Sequence, residues 1–204
     1  GLFSVARHSQ PPPGETKVIS IGQLGVDMAF GDPRTEQARV NQAVHDIGFE
    51  AEFIQRANLL LMPEGLAPGG DDPNNPDIPF PLPSMPSLFG LQRAANGKVY
   101  QSAFGYDGKW HHVDKTKLVI FGEYVPFRSA MTAFNLPSLD LEPGAKVGTM
   151  TLDGTKIAPL ICFEGLFYEV AQTQALEGAQ LIALMSIDDW YMSTGMPQQL
   201  WYSA

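Results

Sequence analysis

The run Leu59-Leu60-Leu61-Met62 limits what this chain can fold into more than any other stretch. Consecutive apolar residues leave no polar face for water, so as a strand they are buried on both sides. The run stops at Pro63-Glu64. The stretches 157–163 and 181–187 are apolar in the same way and also read as strands. A sheet covered on both faces needs further layers, which makes the expected class α/β with layered sheets.

The elements between these runs fit that class. The stretch 18–24 reads as a buried strand. Asp32-Pro33 signals a helix start, with Asp as N-cap and Pro at the first helical position. Val40, Val44, Ile47, Ala51 and Ile54 then follow at four-three spacing, one apolar face of a long helix. Strand, helix and strand give a βαβ-like start. Residues 69–86 are rich in Pro, Asp and Asn and read as a long surface loop. Within and after it, Phe80, Leu82, Met85, Leu88 and Phe89 suit either a lid touching lipid or a packed loop. Residues 99–104 and 110–113 pair around an Asp107-Gly108 turn. A helix is expected over 165–177, closed by Gly178.

The chain has 204 residues, a net charge of -9 and a pI near 4.8. An acidic surface excludes the basic stripe that nucleic-acid binding needs. With one cysteine no internal disulfide forms. No apolar run approaches the roughly 20 residues of a membrane helix. Residues 1–15, with Pro11-Pro12-Pro13-Gly14, read as a linker or arm, and 16–204 as one catalytic domain. The first residue is Gly1 and the last residues fall in what reads as a helix. The expectation is a fragment or a processed product, with any membrane anchor outside it.

Three residues invite a chemical reading. Cys162 ends an apolar strand just before an expected helix, whose positive end would lower the thiol pKa. Alone, it reads more readily as an inert buried thiol. Glu64 also follows an apolar strand, where carboxylates face ligand crevices; the plainer reading is a first-turn helix glutamate. Lys115 by itself is a surface lysine. A thiol nucleophile does need a base and a cation at the developing oxyanion. Asp71-Asp72 with Asn74-Asn75 lacks calcium-loop spacing. His111 and His112 face opposite sides of a strand and cannot jointly bind a metal.

Four strings carry a resemblance. Lys115-Thr116-Lys117-Leu118-Val119-Ile120-Phe121-Gly122-Glu123-Tyr124-Val125-Pro126 closely resembles the K-x-x-LVPFGEYVP signature of apolipoprotein N-acyltransferases, a branch of the nitrilase or carbon-nitrogen hydrolase superfamily. Ile161-Cys162-Phe163-Glu164 looks like that family's ICYE nucleophile motif. Leu61-Met62-Pro63-Glu64-Gly65 resembles its W-P-E segment. Ser186-Ile187-Asp188-Asp189-Trp190-Tyr191 resembles its SNDAWF segment, with Gly195, Pro197 and Gln199 matching the pattern that follows.

The resemblance implies an αββα sandwich, truncated at its C-terminus. It implies transfer of a fatty acyl chain from a phospholipid to the N-terminal amine of a lipoprotein, through a thioester on the cysteine, with no metal or organic cofactor. In that scheme Glu64 is the general base, Cys162 the nucleophile and Lys115 the oxyanion stabiliser, helped by the backbone N–H of Phe163. Glu123 would orient Lys115 or relay a proton, Glu164 would be structural, and Trp190 and Tyr191 would line the pocket. The implied place is the bacterial cell envelope, anchored through segments outside this chain, with the domain on the periplasmic face. Ile120, Phe163, Ile187, Asp189 and Leu200 depart from the pattern, and the changes around Asp188 leave acyl-donor specificity open. A TraB-type conjugal-transfer protein, a soluble amidase or nitrilase, and a non-catalytic scaffold are the alternatives.

Overall fold

The computed structural model describes residues 16–24, 33–126 and 140–187. Among the described residues two sheets face each other. The first has the order β1 (Ile19–Ile21), β2 (Leu59–Leu61), β4 (Ser87–Ala95), β5 (Lys98–Tyr106), β6 (Trp110–Asp114), with the two-residue β3 (Ala67–Pro68) beside β4. The second is β7 (Met150–Leu152), β8 (Thr155–Ile161), β9 (Leu181–Met185). β1, β2 and β4 run parallel, β4–β5–β6 form an antiparallel meander, and β8 and β9 are parallel.

Apolar contacts set the layers. Leu59, Leu61, Leu88 and Ala103 of the first sheet meet Met150, Leu152, Ile157, Ile161, Ala183 and Met185 of the second. On the outer side of the first sheet, Val40 and Val44 of α1 (Pro33–Phe49) pack over Leu60, Phe89, Leu91 and Phe104. α2 (Tyr168–Leu176) covers β8 on the far side and buries Val170 and Gln174. The result is the αββα sandwich.

β2 is buried along its whole length, as its composition requires. The other apolar runs differ. Among the described residues β1 pairs only with β2, at the edge of the sheet, and it buries Ser20 while Ile19 and Ile21 are exposed. β9 buries Ala183 and Met185 and exposes Ile182 and Leu184, so it is half-buried. Ile54 also leaves the expected face. α1 passes into a π-helical turn, Glu50–Ile54, in which Gln55 N–H donates to the Glu50 carbonyl. The wider turn breaks the 3.6-residue period after Ala51 and leaves Ile54 exposed.

Residues 69–86 are irregular as expected, but Phe80 and Met85 are buried against Phe89 and α1. The stretch is therefore a packed loop rather than a lid, and Leu88 and Phe89 belong to β4. That strand was not expected, although Asn96-Gly97, both at positive φ, close its hairpin with β5. β7 likewise joins β8 through Asp153-Gly154. Between β8 and α2 stands a separate 3-10 turn, Cys162–Leu166, where one continuous helix was expected. No helix among the described residues is long and apolar enough to cross a membrane.

Candidate active site

Glu64, Lys115 and Cys162 each lie just past the end of a strand: β2, β6 and β8. Two glycines let the backbone approach closely enough to bring the first two in. A Cβ on Gly90 of β4 would stand 2.2 Å from Glu64 Cα, so only glycine lets the Glu64 turn rest on that strand. Gly90 N–H donates to the Pro63 carbonyl at 3.0 Å, and Leu66 N–H to the Gly90 carbonyl at 2.8 Å. Gly144 N–H donates to the Lys115 carbonyl at 2.7 Å, and a Cβ there would stand 2.7 Å from the Asp114 carbonyl oxygen. Glu64 lies in a bend, not in the first turn of a helix.

Cys162 sits at the sharp corner where β8 becomes the 3-10 turn. Its φ of 50° is left-handed, a conformation that costs a non-glycine residue about 1–2 kcal/mol. The corner is fixed by Glu164, whose carboxylate is buried. One oxygen accepts from Thr116 N–H at 2.7 Å, Thr116 O–H at 2.8 Å and Lys117 N–H at 3.3 Å. The other accepts from Ile161 N–H at 3.0 Å. One side chain thus ties the cysteine corner to the backbone just after Lys115.

The electrostatics of the pocket follow from burial. Lys115 is wholly buried and its Nζ donates to Glu123 at 2.6 Å. Burial alone would lower the ammonium pKa. The carboxylates of Glu64 and Glu123 and the Cys162 sulfur outweigh it, and the pKa stands above the ordinary lysine value. The second Glu123 oxygen accepts from Val119 N–H at 2.8 Å, which holds the carboxylate in place. Glu64 is raised above the ordinary carboxyl value because it is buried, despite Lys115 beside it and a hydrogen bond from the Cys162 thiol. Ile187 N–H reaches its Oε1 at 3.4 Å.

Cys162 behaves oppositely to the expectation of a lowered pKa. Burial, then the negative Glu64 carboxylate, push its thiol up to about 12, against the opposing pull of Lys115. A single five-residue 3-10 turn follows it rather than a long helix with a dipole. The thiol therefore rests protonated, hydrogen-bonded to a carboxylate.

Glu64, Lys115, Cys162 and Glu123 are thus brought together, with Glu164 adjacent. Phe163 lies in the turn and packs edge-on against Phe167, ring centroids 5.1 Å apart. Trp190 and Tyr191 lie outside the described residues, as do Asp188 and Asp189. Sequence reasoning missed Gly90 and Gly144, and the end of β9, where Ser186 hydrogen-bonds the Cys162 sulfur. Gly90 carried a signal, being an isolated glycine among apolar residues. No group of described residues has the makings of a metal site.

Compared with protein-family models, the chain matches none. Among curated proteins it is similar to "Apolipoprotein N-acyltransferase" of Geobacter metallireducens, 33% identical over 42% of this chain and 17% of that protein. The protein of the same name from Pseudomonas paraeruginosa is 37% identical over 42% of this chain and 17% of its own length. That of Brucella suis is 32% identical over 53% and 22%. The matches span about a fifth of the length of these relatives. Among solved structures, an amidase of the nitrilase superfamily from Nesterenkonia sp. AN1 superposes with TM-score 0.57 at 16% identity, covering 93% of this chain and 72% of that one. A glutamine-dependent NAD+ synthetase from Acinetobacter baumannii gives TM-score 0.60 at 15% identity, covering 90% of this chain and 34% of the other. The fold is that of the nitrilase superfamily. In sequence, the chain is similar to part of proteins named apolipoprotein N-acyltransferase.

Proposed function

We propose that the chain catalyses cysteine-dependent acyl transfer through a thioester, with a phospholipid as acyl donor and the N-terminal amine of a lipoprotein as acceptor. The observation that carries this reading is the protonated Cys162 thiol hydrogen-bonded to a buried carboxylate, with a buried ammonium beside both.

Glu64 is the base. A thiol near 12 gives almost no thiolate at neutral pH, so the proton must leave as the sulfur attacks. Burial makes Glu64 a stronger base than an exposed carboxylate, which narrows the gap it has to bridge. As the S–C bond forms at the donor's ester carbonyl, the oxygen becomes an alkoxide, and the Lys115 ammonium lies where that charge is stabilised, with the Phe163 backbone N–H as the second donor. Collapse breaks the ester C–O bond. The leaving alkoxide takes the proton from Glu64, and the thioester remains. The acceptor amine then attacks the thioester, gives its proton to Glu64, and expels the Cys162 sulfur, which is reprotonated. Glu123 holds the ammonium in place. In this reading the domain works at the periplasmic face of the cell envelope, held at the membrane by segments outside this chain.

Hydrolysis of a small amide, with water as acceptor, is the second reading. It is favoured by the backbone likeness to the Nesterenkonia amidase. Incubation with phospholipid vesicles followed by intact-mass measurement separates the two. The proposal expects a gain of one acyl chain on Cys162, absent in Cys162→Ala. Ammonia release from small amides without an acyl adduct refutes it in favour of the amidase. If Cys162 neither acylates nor turns over amides, and alkylates no faster than a free thiol, the site is a scaffold.

A further inference from the structure

We propose that Ser186 is a catalytic residue that holds the Cys162 sulfur as it becomes a thiolate, its hydroxyl donating to Sγ from the end of β9. The inference rests on the reading of Cys162 as the nucleophile.

Register puts the serine there. β8 and β9 are parallel and pair Ile161 with Met185, so the next residue on each strand, Cys162 and Ser186, emerge side by side. Ser186 is half-buried, between buried Met185 and Ile187. Its side chain hydrogen-bonds Cys162 and favours the charged sulfur. The residue after it acts on the base: Ile187 N–H reaches Glu64 Oε1 at 3.4 Å. The two residues just after β9 thus touch both nucleophile and base.

The need for such a donor is chemical. The groups facing the sulfur are Glu64 after β2, a negative charge that opposes ionisation, and Lys115 after β6, whose ammonium is shared with Glu64 and Glu123. The Glu164 carboxylate is taken up by the backbone of Ile161, Thr116 and Lys117 and by the Thr116 hydroxyl. When the thiol proton passes to Glu64, the proton count is unchanged: the S–H bond breaks, an O–H bond forms on the carboxyl, and the sulfur keeps the electron pair. The hydroxyl of Ser186 then donates to that pair. After attack the sulfur is a neutral thioester and a poor acceptor, so the bond is strongest where charge is greatest, as a rate-enhancing contact must be.

The test is the rate of Cys162 alkylation by iodoacetamide across pH, followed by intact mass, in the 204-residue chain and in Ser186→Ala and Ser186→Thr. Losing a hydrogen bond to a charged group is expected to slow alkylation about tenfold at a given pH in Ser186→Ala, moving the profile to higher pH. Ser186→Thr, which keeps the hydroxyl, restores rate and profile. Simple loss of bulk beside the sulfur would instead open it to reagent and raise the rate. An unchanged or faster Ser186→Ala profile, or failure of Ser186→Thr to restore it while melting like the parent, overturns the proposal. Wild-type acylation by phospholipid vesicles is measured in parallel. Its absence condemns the reading of the nucleophile, whereas its presence with an unmoved Ser186→Ala profile condemns the serine's role alone.

Discussion

Two buried glutamates flank the cysteine corner, and they are built differently. Glu164, on the turn itself, accepts from three backbone N–H groups and one hydroxyl. Glu64, across the pocket after β2, accepts from the Cys162 thiol and from one distant backbone N–H. Burial is nearly equal, 4% and 6% exposed. What separates them is how well the charge is satisfied. A carboxylate with a full set of donors is a structural tie. One that is buried with few donors is poised to take a proton.

That contrast sets the predictions. The largest effect is on chemistry: Glu64→Gln keeps shape but removes the base, and acyl-adduct formation on Cys162 is expected to fall about a thousandfold by intact-mass kinetics. Gly90→Ala attacks the same glutamate from behind. Its Cβ would stand 2.2 Å from Glu64 Cα, and the resulting displacement should cost about 100-fold in the same assay. Glu164→Ala should act on stability, leaving several buried donors unpaired and lowering the unfolding free energy by about 3 kcal/mol in urea titration.

Glu64 also makes stability depend on pH. The folded-state pKa of Glu64 lies above its ordinary value of 4.5. Its neutral form is therefore the one that folding favours. That contribution is fully present below 4.5 and is lost as pH rises through the higher folded value. Denaturation of wild type against Glu64→Gln should show the wild type losing ground over that interval and holding a constant deficit above it. The smallest effect belongs to the exposed Lys117–Glu169 pair, 3.5 Å apart with side chains 38% and 52% exposed. Glu169→Gln should change stability by less than about 0.5 kcal/mol.

The sequence made some of this legible and hid the rest for physical reasons. The lysine string carried the resemblance because many adjacent positions agree at once. The apolar run before Glu64 announced β2 because a strand buried on both faces has no other composition. Cys162 was visible as a strand-end thiol, but its raised pKa was not, since that depends on Glu64, far away in sequence. The tie between Glu164 and Thr116 spans 48 residues and leaves no local pattern. Ile54 followed a helical period that a π turn interrupts, and no propensity marks that turn. β4 was within reach of the sequence, because Asn96-Gly97 is a strong hairpin signal. Ser186 sits inside a recognisable segment, yet its contact with the sulfur emerges only from the register of β8 against β9.

The central claim is that Glu64 is a buried, thinly hydrogen-bonded carboxylate set against a protonated thiol. Titrating its side-chain carboxyl by carbon-13 NMR, with Glu64→Gln to assign the resonance, tests this directly. The account predicts a midpoint above 4.5; a midpoint at or below that value would contradict it.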